Sequence, residues 1–206
     1  MNWTRPVLFI EKTLMHQIYH LILKSVRFLP EVKKILLLSD THSCSEADIT
    51  KHFGSFDELW HAGDWGDMTL SDRMEKTGKP VRGVWGNIDG QEIRQRYPLN
   101  NRFNCEGIDV WMTHIGGYPG KYNPKILSEL KQNPPQLFIC GHSHILRVMR
   151  DPNLNQMLYM NPGAAGRHGF HHMRTMLKFE IDQGTIKHVA VIELGKRTAG
   201  ILPDLQ

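Results

Sequence analysis

The 206-residue sequence predicts an α/β domain, and three observations carry the prediction. From Lys34 onward, short continuous apolar runs alternate with polar stretches of helical spacing. After Ile145 the pattern becomes apolar–polar alternation interrupted by turn residues. The polar residues best suited to chemistry stand directly after the apolar runs, where the crevice sites of open α/β sheets form.

The first strand is "ILLLS" at 35–39, an unbroken apolar run of the kind buried on both faces. "ELWHA" (58–62), "VRGVW" (81–85), "DVWMT" (109–113) and "QLFIC" (136–140) repeat the signature. Helical spacing lies between them at 46–53, 68–77, 89–96 and 124–132. "ILRVMR", "QMLYM", "RTMLKFEI" and "IKHVAVIEL" then alternate apolar and polar, with "DPN" and "DQGT" as turns, which predicts antiparallel strands with short connections. There is no internal repeat or low-complexity segment, and the length suits one domain.

Residues 1–32 read differently. "TLMHQIYHLILKSVRFL" places Leu14, Ile18, Leu21, Ile22, Val26 and Leu29 at helical spacing, with Lys24 and Arg27 toward the polar side. The formal charge of +4 is concentrated here: residues 1–34 hold six basic and two acidic side chains, and the rest balances. The segment is read as an amphipathic helix, for a membrane surface, a partner or the domain itself, or as an extension from an upstream start. "VLFI" is too short for a signal-peptide core and no small-residue cleavage site follows. The domain is expected over 33–194, with a short tail at 195–206. A neutral body gives no sign of nucleic-acid binding, and no apolar run is long enough to span a membrane. Cys44, Cys105 and Cys140 are scattered and odd in number, without a CxxC pair, which argues for a reducing cytoplasm and against a thiolate zinc site.

The ends of the runs supply a ligand set. Asp40 and His42 follow the first run, Asp64 the second, Asn87 the third, His114 the fourth, and His142 and His144 the fifth. Gly63, Gly86 and Gly141 stand just before three of these stations, where close backbone approach is needed. On an extended segment, D-x-H directs both side chains to one side; H-x-H does so too, or divides between two ions. Imidazole with carboxylate suits Mn, Fe or Zn. Seven ligands exceed the needs of one tetrahedral ion and suit two ions ~3.5–4 Å apart, one carboxylate bridging. Each element alone is weak; "SDTH", "HAGD", "GNID", "THIGG" and "CGHSH" in this order are not.

That ordered set resembles the calcineurin-like metallophosphoesterase superfamily, and most of all its small single-domain bacterial phosphodiesterases, relatives of a retromer subunit of the same fold. The resemblance covers about residues 33–194, and "NPGAAG" (161–166) resembles a turn found late in that group. It implies a four-layer α-β-β-α sandwich of two mixed sheets. It also implies that Asp40, His42 and His144 hold one divalent ion, that Asp64 bridges, and that Asn87, His114 and His142 complete a second. Mn²⁺ comes first, with Fe, Zn, Ni or Mg as alternatives. The implied activity is hydrolysis of a small phosphate ester, a phosphodiester foremost, by in-line attack of metal-bound hydroxide, with Asn87 and His114 in the catalytic set. Asp89 resembles the acidic residue of the same motif, expected to orient a ligand histidine, unless it caps the helix that follows. The alternatives are a protein-binding scaffold on the same fold and a phosphomonoesterase or pyrophosphohydrolase. A homo-oligomer is left open.

One position departs from the larger family: Ile88 stands where many members carry a histidine near the leaving group, so the source of the leaving-group proton is open. His61 reads as a packed or hydrogen-bonded histidine. His168, His171 and His172 read as a solvated loop or, with Arg167 and Arg174, as a substrate-facing cluster. Trp60, Trp85 and Trp111 read as core; Trp65, beside Asp64, reads as core or as the wall of a ring pocket. Cys44 lies near the expected site.

Overall fold

The computed structural model describes Met15 and residues 32–198. The reading of 1–32 as an amphipathic segment or extension, and the tail beyond residue 198, lie outside the described residues. By contacts the chain divides between Glu31 and Val32, and the sheets belong to the second unit.

Strands β1 (Lys33–Leu38), β2 (Glu58–His61) and β3 (Val81–Gly83) are parallel neighbours, as their unbroken apolar runs predict. Strands β11 (Met173–Asp182) and β12 (Thr185–Lys196) complete this first sheet in the order β12-β11-β1-β2-β3, both new pairings antiparallel. The second sheet runs β4-β5-β8-β10-β9. Its members are β4 (Asn100–Cys105), β5 (Ile108–Thr113), β8 (Leu137–Ile139), β9 (Leu146–Asp151) and β10 (Met157–Pro162). β5, β8 and β10 are mutually parallel, and β4 and β9 are antiparallel edges. A two-stranded ribbon, β6 (Gly117–Tyr118) with β7 (Lys121–Tyr122), stands apart. The helices are α1 (Ala47–Thr50), α2 (Thr69–Glu75), α3 (Gln91–Arg96) and α4 (Pro124–Gln132).

Strand periodicity sorts the side chains into layers. Ile35 and Leu37 of β1 face Val110 and Met112 of β5, Leu137 and Ile139 of β8, and Leu158 and Met160 of β10 in the inter-sheet core. The intervening Leu36 and Leu38 turn outward onto Ile49, Leu70, Met74 and Ile93, under the helices between the strands. Trp111, Phe138 and Tyr159 likewise turn outward under Ile126 and Leu130 of α4. Helices, sheet, sheet and helix make four layers, each fully buried leucine or isoleucine contributing about 1.5–3 kcal/mol. α4 starts cleanly because the Asn123 side chain accepts the Lys125 amide at 3.0 Å and Pro124 occupies the first turn.

The structure departs from the predicted elements in two places. β4 is a strand that "NNRFNC" does not announce: its residues are exposed or half-buried apart from Cys105, and pairing with β5 alone makes it. The two antiparallel hairpins of the C-terminal half belong to different sheets, β9–β10 to the second and β11–β12 to the first, and β10, expected to be antiparallel, also runs parallel beside β8. The last strand among the described residues, β12, closes at Lys196. No helix among the described residues is long and apolar enough to cross a membrane.

Candidate metal centre

The carboxyl ends of β1, β2, β3, β5 and β8 open on one edge of the double sheet, and the loops leaving them meet there. Asp40 N–H donates to the Gly63 carbonyl at 2.9 Å and His42 N–H to the Asp64 carbonyl at 3.0 Å, which ties the first two loops together. Gly141 N–H donates to the His114 carbonyl at 3.1 Å, tying the two loops of the second sheet. The His142 amide donates to both oxygens of Asp40, at 3.2 and 3.1 Å, and joins one sheet to the other.

Two groups of potential ligands result. Asp40, His42 and His144 present ligand atoms within 4.8 Å of one another, and so do Asp64, His114 and His142. The two histidines of H-x-H therefore divide between the groups. Asp64 lies between them: Oδ2 is 3.6 Å from His42 Nε2, and Oδ1 is 3.2 Å from His114 Nε2. His144 Nε2 is 3.2 Å from Asp40 Oδ1. Asn87 is exposed and borders the same cleft as His42, Asp64, His142 and His144.

The D-x-H segment is not extended, as its spacing suggested. Asp40 (φ +53°), His42 (+46°), Asp64 (+57°), His142 (+68°) and His144 (+56°) all occupy the left-handed region. For residues other than glycine this conformation costs about 1–3 kcal/mol each and persists only where the surroundings enforce it. The enforcement is visible at two glycines. Gly63 has φ +94° itself, and a Cβ there would meet the His114 ring at 2.6 Å; a Cβ on Gly86 would fall on the Asp64 carboxylate.

The electrostatics call for a cation. His114 Nδ1–H donates to the Ala62 carbonyl at 2.7 Å, so a neutral ring turns a bare Nε2 lone pair toward the carboxylates. His42 Nε2 and His114 Nε2 are buried without a hydrogen-bond partner. Lone pairs facing carboxylate oxygens repel unless a proton or a metal stands between. Burial works to lower His114, but the carboxylates of Asp64 and Asp40 facing the ring outweigh it and raise its pKa. Burial lowers His42 against the pull of Asp64 and Asp40, which keeps its imidazole in the neutral, coordinating form. At Asp64, burial acts upward but His114, the Ile88 amide and His42 prevail, so the carboxyl lies below its ordinary range. Two or three convergent nitrogen and oxygen donors per group fit a divalent transition ion.

Supporting contacts hold the loops. Among the described residues Asp89 makes no hydrogen bond to a histidine, and the N-cap of α3 is Gly90. Its two oxygens accept the amides of Gly66 (2.9 Å) and Gly86 (2.7 Å), clamping the turns that carry Asp64 and Asn87. Arg94 braces the same turn by donating to the Asp89 carbonyl at 2.7 Å while stacking over Trp85. His61 is packed and hydrogen-bonded: it accepts from Gly63 N–H through Nδ1, contacts Thr41 Oγ1 at 2.9 Å through Nε2, and stacks on Trp65 at 3.7 Å. Trp65 is fully buried between His61 and Tyr97 and lines no ring pocket. Asn161, from the "NPG" turn, donates to the Gly141 carbonyl at 2.8 Å and steadies the H-x-H loop.

The cleft over the two groups measures about 520 Å³. Besides the ligands it is bordered by Ile88, Ile145, Phe170, His168 and His171. His168 lies 4.7 Å from the His42 ring and His171 5.3 Å from the His144 ring. Of the loop histidines these two face the site, whereas His172 is exposed and does not border the cleft. Arg174 does not join them, being buried on Asp48 and Glu46, whereas Arg167 pairs with Glu46 at 2.5 and 2.8 Å and borders, with His42 and His168, an adjoining cavity of about 610 Å³. The glycines flanking "RH" in this loop are the sequence signal for such close approach. Half-buried Cys44 lies beside Arg174.

Comparison with known proteins agrees. A search of curated proteins finds no match. Among solved structures, a predicted phosphoesterase from Streptococcus pneumoniae superposes with a TM-score of 0.60 at 20% identity, over 80% of this chain and 91% of that one. An archaeal phosphodiesterase gives 0.60 at 18% identity, over 78% and 99%. Vacuolar Protein Sorting 29 from Cryptosporidium parvum gives 0.56 at 16%, over 79% and 97%. At these identities the likeness establishes the fold. The family model for the calcineurin-like phosphoesterase superfamily domain matches residues 34–184, which include every ligand station and all strands but β12, and the chain belongs to that superfamily.

Proposed function

We infer that this protein is a metal-dependent hydrolase of phosphate esters, with a phosphodiester as its preferred substrate and Mn²⁺ as the first choice of metal. The observation that carries the reading is the pair of three-ligand groups with Asp64 between them. Asp40, His42 and His144 would hold one ion, and His114, His142 and Asn87 the other, Asp64 being shared. Two bound ions supply an activated water and neutralise charge on the phosphoryl oxygens.

The chain's own groups do the rest. Ala62 fixes the His114 tautomer, so that Nε2 is always the presented atom. Asn87, exposed at the cleft, offers its amide N–H to a phosphoryl oxygen as charge builds there. Hydrolysis of a diester gives a monoester and an alcohol, and the departing oxygen needs a proton. Ile88, 44% exposed on the cleft wall, has none to give. His168 and His171 border the same cleft and are the side chains placed to give one. Three free cysteines among the described residues fit a reducing, cytoplasmic setting.

The rival is a binding scaffold on the same fold, which needs no complete ligand set. Protein purified without chelator and titrated with Mn²⁺ should bind two ions per chain and hydrolyse bis(p-nitrophenyl) phosphate faster than p-nitrophenyl phosphate. Saturation at one ion, or full metallation without turnover of either ester, overturns the reading in favour of the scaffold.

A further inference from the structure

A separate cavity of about 410 Å³ adjoins the main cleft at Asn87, which borders both. Its volume is within the range of about 300–1,000 Å³ typical of small-molecule sites. His114 forms part of its wall, so it opens toward the second ligand group. Trp85, Leu99, Ile115 and Ile126 make its surface largely apolar. Leu99 and Ile115 are 49% and 40% exposed, large apolar side chains left uncovered beside a ligand station. Trp85 is held in place by the Arg94 guanidinium, 4.3 Å from its ring. Two polar groups border this apolar space. Lys125 is exposed and its ammonium makes no ion pair among the described residues. Asn100 is exposed at the start of β4. By contrast, the nearby Asn123 amide is already committed, to Ile115 O and Lys125 N.

The main cleft has an apolar rim of its own in Ile88, Ile145 and fully exposed Phe170. A phosphoryl group seated between the two ligand groups would therefore have two recesses with apolar walls beside it, both bordered by Asn87. A monoester fills one such recess. A diester with two organic arms fills both.

We propose that the side cavity binds the second organic arm of a phosphodiester, an apolar, ring-bearing group with a hydrogen-bond acceptor that Lys125 and Asn100 reach. The assignment rests on the phosphoesterase reading and gives its substrate class a structural basis. Trp85 and Leu99 cover the faces of the ring, Lys125 and Asn100 address its polar edge, and Asn87 stands at the branch point between the arms.

The probes are diphenyl phosphate, with two arms, and phenyl phosphate, with one. Their affinities for the Mn²⁺-loaded protein are measured by calorimetry, so the readout is binding and not turnover. The wild type should prefer the two-armed anion. Leu99→Trp, which fills the cavity from an exposed position, should lower the ratio of diphenyl to phenyl affinity at least about fivefold, since immobilised apolar surface is worth ~25 cal/mol per Å². Lys125→Ala, also on the surface, should lower the same ratio for a diester whose second arm carries a carbonyl acceptor, and less for diphenyl phosphate. A ratio unchanged in both variants, or equal loss for both anions, overturns the assignment. If the preference is present but no ester is hydrolysed, the catalytic reading fails and the two-armed site stands.

Discussion

The space between the sheets and the edge above it follow opposite rules. Between the sheets, β1, β5, β8, β10 and β11 bury alternate apolar residues in ordinary extended backbone, each contact supported by several others. At the edge, five of the six residues in the two ligand groups hold left-handed backbone, two carboxylates are buried, and two imidazole nitrogens lack a partner. The first region is optimised for stability and the second is held against it. Strain of about 1–3 kcal/mol per left-handed residue is tolerable only because the sheets beneath are rigid and redundant. The edge can thus be altered with large effects on chemistry and small effects on folding, and the core the other way round.

Asp64→Asn is the strongest challenge to that division. Losing a shared charged ligand removes several kcal/mol of transition-state stabilisation, which at about 1.4 kcal/mol per tenfold is a loss on the order of 10³ in kcat/KM. The melting temperature of the metal-free variant should fall only modestly: Asn keeps an oxygen for the Ile88 amide and loses only the pairing that holds the Asp64 carboxyl below its ordinary range. A variant that unfolds, or one that keeps its activity, breaks the comparison. Leu137→Ala is the reciprocal test: this residue is fully buried between the sheets, at the start of β8. Chemical denaturation should show a loss of about 2–5 kcal/mol, with activity per folded molecule unchanged and metal stoichiometry intact.

Metal removal sharpens the contrast at intermediate scale. Ions present at a hundred times their dissociation constant stabilise the native state by about 2.7 kcal/mol. At about 2–4 °C per kcal/mol for a chain of this size, the loaded protein should melt roughly 5–11 °C above the chelated one by scanning calorimetry. No difference would mean that the edge is not held under tension by its own charges. The smallest effect is expected at Glu46, which fastens the 166–172 loop through Arg167 and Arg174. Its carboxyl lies below the ordinary value of 4.5, first because of the Arg167 hydrogen bond, against the effect of burial. A depressed carboxylate stabilises above its unfolded pKa, and the stabilisation is lost as pH falls through the folded value. Glu46 is 41% exposed, so solvent screening limits Glu46→Gln to about 0–1 kcal/mol at pH 7. The gap between the two proteins' melting temperatures should close below about pH 4.5; a gap that widens in acid contradicts the ion pair.

Much of this division was legible in the sequence. The apolar runs located β1, β2, β3, β5 and β8, but not β10, which alternation marked as antiparallel and which also pairs in parallel with β8; the ligand stations were readable as polar side chains just after each run. The rest depended on contacts that no local pattern encodes. β4 has too little apolar alternation to read as a strand and exists through its ladder with β5. The spacing of Asp40 and His42 suggested an extended pair, whereas neighbouring loops force both into left-handed backbone. The resemblance suggested Asp89 as a histidine partner, and its bonds to the amides of Gly66 and Gly86 are contacts that no local pattern announces. Trp65 adjoins Asp64 in the chain but turns into the core beneath it.

The amide of His142 donates to the carboxylate of Asp40 across 102 positions of chain, and this separation has a consequence during synthesis. At about 5–20 residues per second, Asp40 leaves the ribosome roughly 5–20 s before His142. Through that interval Asp40, His42 and Asp64 exist without the histidines that complete either group. Any ion they meet is held by an incomplete, weakly selective set. A ligand set able to discriminate among ions therefore exists only after β8 has docked and the second sheet has closed, whatever the emerging N-terminal strands met before.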